Sequence, residues 1–265
     1  MTEAGSKGTR WISRVSVAVA LACCGAFAVG TAVADTVAPD GCYPIPAAPV
    51  VGYAKPPNLD LIKDELLYYR CAQYDADIAA VLDDAKKWVA SRAPQVTKPA
   101  IVFDIDETSL SNWTRIYGDG FAYFYNGSCN LDKSEEPCGD IAWQESEKAP
   151  AIGPTLELYK LARCIDVAPP CQPIDVFFVT GRKVNDPTTG GKTPTQWTGE
   201  NLDKAGYKGL PPDRPVAPYK SSARADIERR FGVTIIANVG DQDSDLAGGH
   251  AERTFKVPNP FYYIP

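Results

Sequence analysis

The sequence has a single histidine, His250, no Cys-x-x-Cys pair, no excess of basic residues, and no apolar run after residue 33 long enough to cross a bilayer. Each absence removes a class of function. One histidine and no close cysteine pair leave no ligand set for a structural zinc site. The 27 basic residues against 33 acidic ones give a net charge of −6. That balance argues against nucleic-acid polymers or anionic membranes as partners. An acidic surface also means that a pocket for an anion has to create its own positive field.

The first segment present reads as separate from the folded domain. Lys7, Arg10 and Arg14 precede an apolar stretch from Val15 to Val33, and Ala32-Val33-Ala34 places small residues before Asp35. Basic, apolar and small-residue regions in that order read as a secretory signal over residues 1–34. Ser16, Gly25, Gly30 and Thr31 interrupt the stretch, which argues against a permanent span. Lipid attachment at Leu21-Ala22-Cys23-Cys24 is the alternative, although the residues before either cysteine suit it poorly. The mature chain is therefore expected outside the cell, with no transmembrane span. Without residues 1–34, which carry Glu3, Lys7, Arg10 and Arg14, 24 basic and 32 acidic residues remain and the charge becomes −8.

Six cysteines remain as well: Cys42, Cys71, Cys129, Cys138, Cys164 and Cys171. An even number in an exported chain points to disulfides. Close spacing favours Cys129–Cys138 and Cys164–Cys171, which leaves Cys42–Cys71 by elimination.

Residues 35–57, with Pro39, Pro44, Pro46, Pro49, Pro56 and Pro57, read as an extended arm. At 265 residues, 45% hydrophobic and 23% charged, the rest suits one sizeable domain over residues 58–265. From Asn58 to Ser91 the apolar residues fall at helical spacing, as two helices or one bent helix. Apolar runs starting at Ala100, Ile174 and Val233 read as buried strands. Helical patterns over 155–164, 195–205 and 221–231 lie between them. Alternating strands and helices predict an α/β fold, a Rossmann-like parallel sheet with helices on both faces. Ligands bind such sheets outside the carboxyl ends of the strands, and all three runs end there in polar residues.

The first run ends in Asp104-Ile105-Asp106-Glu107-Thr108. Residues two apart on a strand face the same side, so Asp104 and Asp106 are placed to converge as the strand ends. One carboxylate to attack and a second to move protons suits phosphoester hydrolysis through an aspartyl-phosphate. A strand end turning into a loop is the plainer alternative, since Asp is common there. The second run ends in Thr180-Gly181-Arg182, where a hydroxyl and an amide are available to phosphate oxygens. Lys220 offers a point charge for phosphate, or else is a solvated helix start. Asp241 and Asp245, in Gly240-Asp241-Gln242-Asp243-Ser244-Asp245, suit a hard cation such as Mg²⁺ together with Asp104, or else form an acidic turn.

Residues 109–150 fit the alternating scheme poorly. Trp113, Tyr117, Phe121, Tyr123, Phe124, Tyr125 and Trp143 crowd among Gly, Asn and acidic residues there. They read as a cap insertion over the site, with aromatics that stack on a substrate or pack a satellite core. Asn112-Trp113-Thr114 and Asn126-Gly127-Ser128 match the glycosylation pattern.

Taken in order, the segments at Asp104–Thr108, Thr180–Arg182, Tyr219–Ser221 and Gly240–Asp245 resemble the four motifs of the haloacid dehalogenase (HAD) superfamily, and within it the acid phosphatase branch. Ala149-Pro150-Ala151, Asn201-Leu202 with Gly206-Tyr207, and the closing Pro258-Asn259-Pro260-Phe261-Tyr262-Tyr263 extend the resemblance to the C-terminus. It implies Asp104 as nucleophile and Asp106 as general acid and base. It further implies Thr180, Gly181 and Lys220 as phosphate-binding groups. The same resemblance has Mg²⁺ held by the carboxylates of Asp104 and Asp241 and the carbonyl of Asp106, with Asp245 as ligand or as partner of a ligand. Asp243 departs from the branch, which often has an aromatic residue there, and receives no ligand role. The role of Arg182 stays open between substrate contact and pairing with a carboxylate. The implied activity is Mg²⁺-dependent hydrolysis of small phosphomonoesters. A non-catalytic storage or binding protein on the same fold and a phosphotransferase with the same intermediate are the alternatives. A histidine-dependent phosphatase is excluded, because His250, followed by Ala251, cannot supply the nucleophile and its surrounding motif.

Overall fold

The computed structural model describes residues 57–131, 137–168, 170–182, 191–210, 217–218 and 220–264. The signal, nearly all of the proline-rich arm, Cys42 and Tyr219 lie outside them. Two helices open the described chain, α1 (Leu59–Ala72) and α2 (Tyr74–Arg92). The Asn58 side chain caps α1 by accepting from the Asp60 amide at 2.9 Å. Tyr74, Ile78, Leu82, Ala85 and Val89 form one buried stripe along α2, as spacings of three and four dictate.

The sheet is built from β1 (Pro99–Asp104), β2 (Asp175–Thr180), β3 (Ala217–Pro218), β4 (Thr234–Gly240) and β5 (Thr254–Lys256). Its order is β3-β2-β1-β4-β5, and every pairing is parallel. The connections hold α3 (Trp113–Gly118), α4 (Asp140–Ser146), α5 (Gly153–Arg163), α6 (Pro194–Ala205), α7 (Lys220–Phe231) and α8 (Asp243–Leu246). Alternation along β1 and β2 supplies two cores. Ile101, Phe103, Val176 and Phe178 pack with α2 and α5, whereas Ala100, Val102, Phe177 and Val179 pack with Ala223 and Ile227 of α7. The expected parallel sheet with helices on both faces is therefore the observed fold.

Leu158 of α5 is fully buried in the larger core. Leu158→Ala is expected to cost about 2–5 kcal/mol from lost transfer energy plus the cavity left behind. Urea denaturation checks this by a lower midpoint at unchanged slope.

The disulfides Cys129–Cys138 and Cys164–Cys171 are present as expected. Cys71 is also disulfide-bonded. The described residues of 105–152, between β1 and α5, hold two short helices, α3 and α4. Their aromatics divide: Trp113 and Trp143 are buried, while Phe121, Tyr123 and Tyr125 line a cleft. No helix among the described residues is long and apolar enough to cross a membrane.

Candidate active site

A cleft of about 1150 Å³ opens at the carboxyl ends of the central strands, and Asp104, Asp106, Gly181, Arg182, Lys220 and Asp241 all line it. Residues as far apart as 104 and 241 meet there because β1 lies between β2 and β4. Of the predicted site residues, Thr180 and Asp245 are set below its surface, 1% and 2% exposed.

One sequence expectation needs correcting. Strand β1 stops at Asp104, so the pleat does not place Asp106. Instead the Ile105 carbonyl accepts from the amides of Thr108, Ser109 and Leu110. Glu107 takes a left-handed backbone, φ 58°, and this tight turn carries Asp106 back to the cleft. Ser109 donates its hydroxyl to the Asp104 carbonyl at 2.6 Å and closes the turn. The turn is fastened from outside by Thr155, whose hydroxyl donates to the Thr108 carbonyl at 2.6 Å, and by Tyr207, whose hydroxyl donates to the Ser109 carbonyl at 2.8 Å. Asn201 holds both polar groups of Ala149. These contacts give physical roles to the Ala149-Pro150-Ala151 and Asn201…Tyr207 patterns.

Asp104, Asp241 and Asp245 bring carboxylate oxygens within 4.8 Å of one another, and all three residues are buried. Lys220 pairs with Asp245, and its stem runs against Gly181, Cε lying 3.5 Å from where a side chain there would begin. With the three carboxylates ionised, one lysine leaves two net negative charges in a buried site. Burial therefore pushes the Asp104 carboxyl well above its usual range; Asp245 and Asp241 push it the same way, and Lys220 opposes. Burial likewise raises Asp241, against hydrogen bonds from Asn259, Gln242 and Thr108. Those bonds, at 2.7, 2.6 and 3.0 Å, fix its orientation. Backbone crowding adds precision: a Cβ on Gly240 would overlap the Asp245 side chain, so a glycine is needed at that close approach. No donor among the described residues hydrogen-bonds the Asp104 carboxylate. A divalent cation fits this donor set, since it would supply the missing positive charge to hard oxygen ligands.

The Asp106 carboxylate has a different set of partners. Arg182 grips it through Nε at 3.0 Å and Nη2 at 2.6 Å, and Asn112 Nδ2 donates to it at 2.8 Å. Burial alone would raise this carboxyl, but the Arg182 charge and hydrogen bonds, with Asn112, hold it below its usual range. Arg182 thus pairs with a carboxylate, and Thr198 of α6 accepts from its Nη1 at 3.0 Å. Thr180 accepts from the Arg182 amide at 3.0 Å. Asp243, given no ligand role, pairs with Lys256 on the surface.

Sequence reasoning missed several members of this site. Glu107 lies beneath it, pushed up to about 7 by burial and by Asp106, with hydrogen bonds from Tyr262 and Asn112 opposing. Tyr262 donates to Glu107 at 2.5 Å, and Gln242 receives the Ile264 amide at 3.0 Å. The C-terminal Pro258–Ile264 segment thereby straps the first and fourth motif loops together. Asn112 was read only as a glycosylation acceptor. It is 3% exposed with its amide fully engaged, so it cannot serve as one; Asn126 is exposed. The available signal was adjacency, since Glu107 and Asn112 lie within eight residues of Asp104.

Comparison with known proteins agrees with this geometry. The Stem 28 kDa glycoprotein of Glycine max is 31% identical over 210 residues, 74% of this chain and 72% of that protein. Acid phosphatase 1 of Solanum lycopersicum is 30% identical over 201 residues, 72% and 69% of the two chains. The solved class C acid phosphatase of Bacillus anthracis shares the fold, with a TM-score of 0.54 over 77% of this chain and 84% of that one at 18% identity. The family model described as HAD superfamily, subfamily IIIB (Acid phosphatase), matches residues 61–265. The chain belongs to that family, the subfamily IIIB acid phosphatases of the HAD superfamily.

Proposed function

We propose that this chain is a secreted, Mg²⁺-dependent phosphomonoesterase that works through a phosphorylated Asp104. The observation that carries the reading is one cleft lined by Asp104 at the end of β1, by Asp106 and by Asp241, with Asp104, Asp241 and Asp245 forming a buried carboxylate cluster. Asp104 attacks phosphorus; an Asp104 Oδ–P bond forms and the bond from phosphorus to the ester oxygen breaks. Arg182 disfavours the protonated form of Asp106, so this step draws on the fraction of enzyme in which Asp106 holds a proton; it gives that proton to the departing oxygen and the alcohol leaves neutral. Asp106 is then the ionised carboxylate that its pairing with Arg182 favours. In that form it takes a proton from water, whose oxygen attacks the phosphorus and frees Asp104. Lys220, the Thr180 hydroxyl and the Gly181 amide hold the phosphoryl oxygens, because transfer depends on positioning and charge stabilisation. When bound by Asp104, Asp241, the Asp106 carbonyl and Asp245, Mg²⁺ supplies charge neutralisation for an anion meeting an anion.

Residues 109–150 form the cap in this reading, and Phe121, Tyr123 and Tyr125 on the cleft wall suit the organic part of a small monoester. Export is supported by the N-terminal pattern and by the disulfides. A panel of small phosphate esters, turned over side by side by the wild type and Asp104→Asn, tests the assignment. Hydrolysis that survives in the variant refutes it.

A further inference from the structure

The buried amide of Asn112 joins the acid–base carboxylate to the 109–150 segment. Its Nδ2 donates to Asp106 at 2.8 Å and to Glu107 at 3.1 Å, while its Oδ1 accepts from the indole Nε1 of Trp143 at 2.7 Å. Both amide donors and the amide oxygen are engaged. Its sense is fixed from both sides, because the two carboxylates must face donors and an indole nitrogen, which only donates, must face an acceptor. A flipped amide would oppose two N–H groups to the indole and point its oxygen at two carboxylates. Glu107 also accepts the Asn112 backbone amide at 2.6 Å and is itself held by Tyr262. Trp143 stands on α4, is 2% exposed, and does not line the cleft.

We propose that Asn112 and Trp143 are positioning residues for the reaction: Trp143 locks the Asn112 amide, which in turn holds the Asp106 carboxyl where it can protonate the leaving oxygen. This rests on the reading of Asp106 as general acid. Arg182, itself anchored by Thr198, holds one edge of the carboxylate, and the Asn112 contact adds a second, independent direction. A role in orientation predicts a particular kinetic signature. Substrates whose alcohol leaves as a poor anion depend on protonation, whereas a p-nitrophenyl ester does not.

The test compares kcat/KM, which reports only the steps through release of the alcohol and not the later attack of water, for an alkyl phosphate and for p-nitrophenyl phosphate in the Mg²⁺-loaded wild type, Trp143→Phe, Asn112→Ser and Asp106→Asn. Trp143→Phe keeps an aromatic ring in the core and deletes the indole N–H together with part of the fused ring. It is expected to lower kcat/KM for the alkyl ester about 10-fold and to leave that for the aryl ester within about 2-fold, with Asn112→Ser larger in the same sense. Intact aryl turnover also certifies folding. An equal fall on both esters, or no fall on either, overturns the proposal provided Asp106→Asn still shows the selective alkyl loss. Absence of that selective loss in Asp106→Asn itself would instead remove the reading of Asp106 as the acid. If Trp143→Phe does not fold, Asn112→Ser alone decides by the same ratio.

Discussion

Replacing Asp104 with asparagine is expected to lower turnover of an aryl phosphate by roughly 10⁴-fold or more while the protein stays folded. The two side chains have the same shape, so the packing at the end of β1 is kept. The amide, however, is not a nucleophile, and no other described carboxylate in the cleft replaces it. Asp106 is held by Arg182 and Asn112, Asp241 by Thr108, Gln242 and Asn259, and Asp140 by Gln144 and Tyr123. The substitution also removes one of three buried charges that repel one another. Breaking up like charges relieves a cost instead of adding one, so in chelator the variant is expected to melt at or above the wild-type temperature. Activity within tenfold of wild type would contradict the assigned role. A large drop in melting temperature would mean that Asp104 serves the fold as well.

Metal removal is the second large effect. Chelation is expected to abolish activity, and Mg²⁺ to restore it. The same ion should stabilise the native state, since it binds the folded cluster and has no assembled site in the unfolded chain. At about 100-fold excess over its dissociation constant, binding contributes about 2.7 kcal/mol, a melting shift on the order of 5–10 °C for a domain of this size. Asp241→Asn is expected to erase that increment, because it removes one anionic ligand from the cluster. The variant's own melting point without Mg²⁺ is expected to fall, as a single amide oxygen cannot accept from Thr108, Gln242 and Asn259 as two carboxylate oxygens do. The increment within each protein is therefore the decisive quantity. A wild type whose activity and melting point ignore both chelator and Mg²⁺ rules out the metal mechanism.

Much of the scaffold was readable from periodicity. The three apolar runs became β1, β2 and β4, and the helical patterns became α2, α5, α6 and α7. The edge strands were not readable: β3 has two residues and β5 three, too short for any alternation to show. The motif order brought Asp104, Gly181, Lys220 and Asp241 to one cleft as expected. The sequence could not reveal that Asp106 reaches it through a turn at Glu107, because a left-handed glutamate has no pattern of its own. Nor could it show that Tyr262 meets Glu107 across 155 positions. Asn112 shows the cost of reading a local pattern alone. The triplet Asn112-Trp113-Thr114 is sound as a sequon, yet burial and three hydrogen-bonding partners give the residue different work.

The central claim is that Asp104 carries the phosphoryl group, and trapping that species tests it most directly. An acyl phosphate is reduced by borohydride to an alcohol, so a phosphorylated aspartate quenched during turnover becomes homoserine. Peptide mapping of the Mg²⁺-loaded enzyme, quenched with an aryl phosphate in excess, is predicted to find homoserine at position 104 and nowhere else. Homoserine at position 106, or none at all from protein that was turning over substrate at the moment of quenching, would contradict the account.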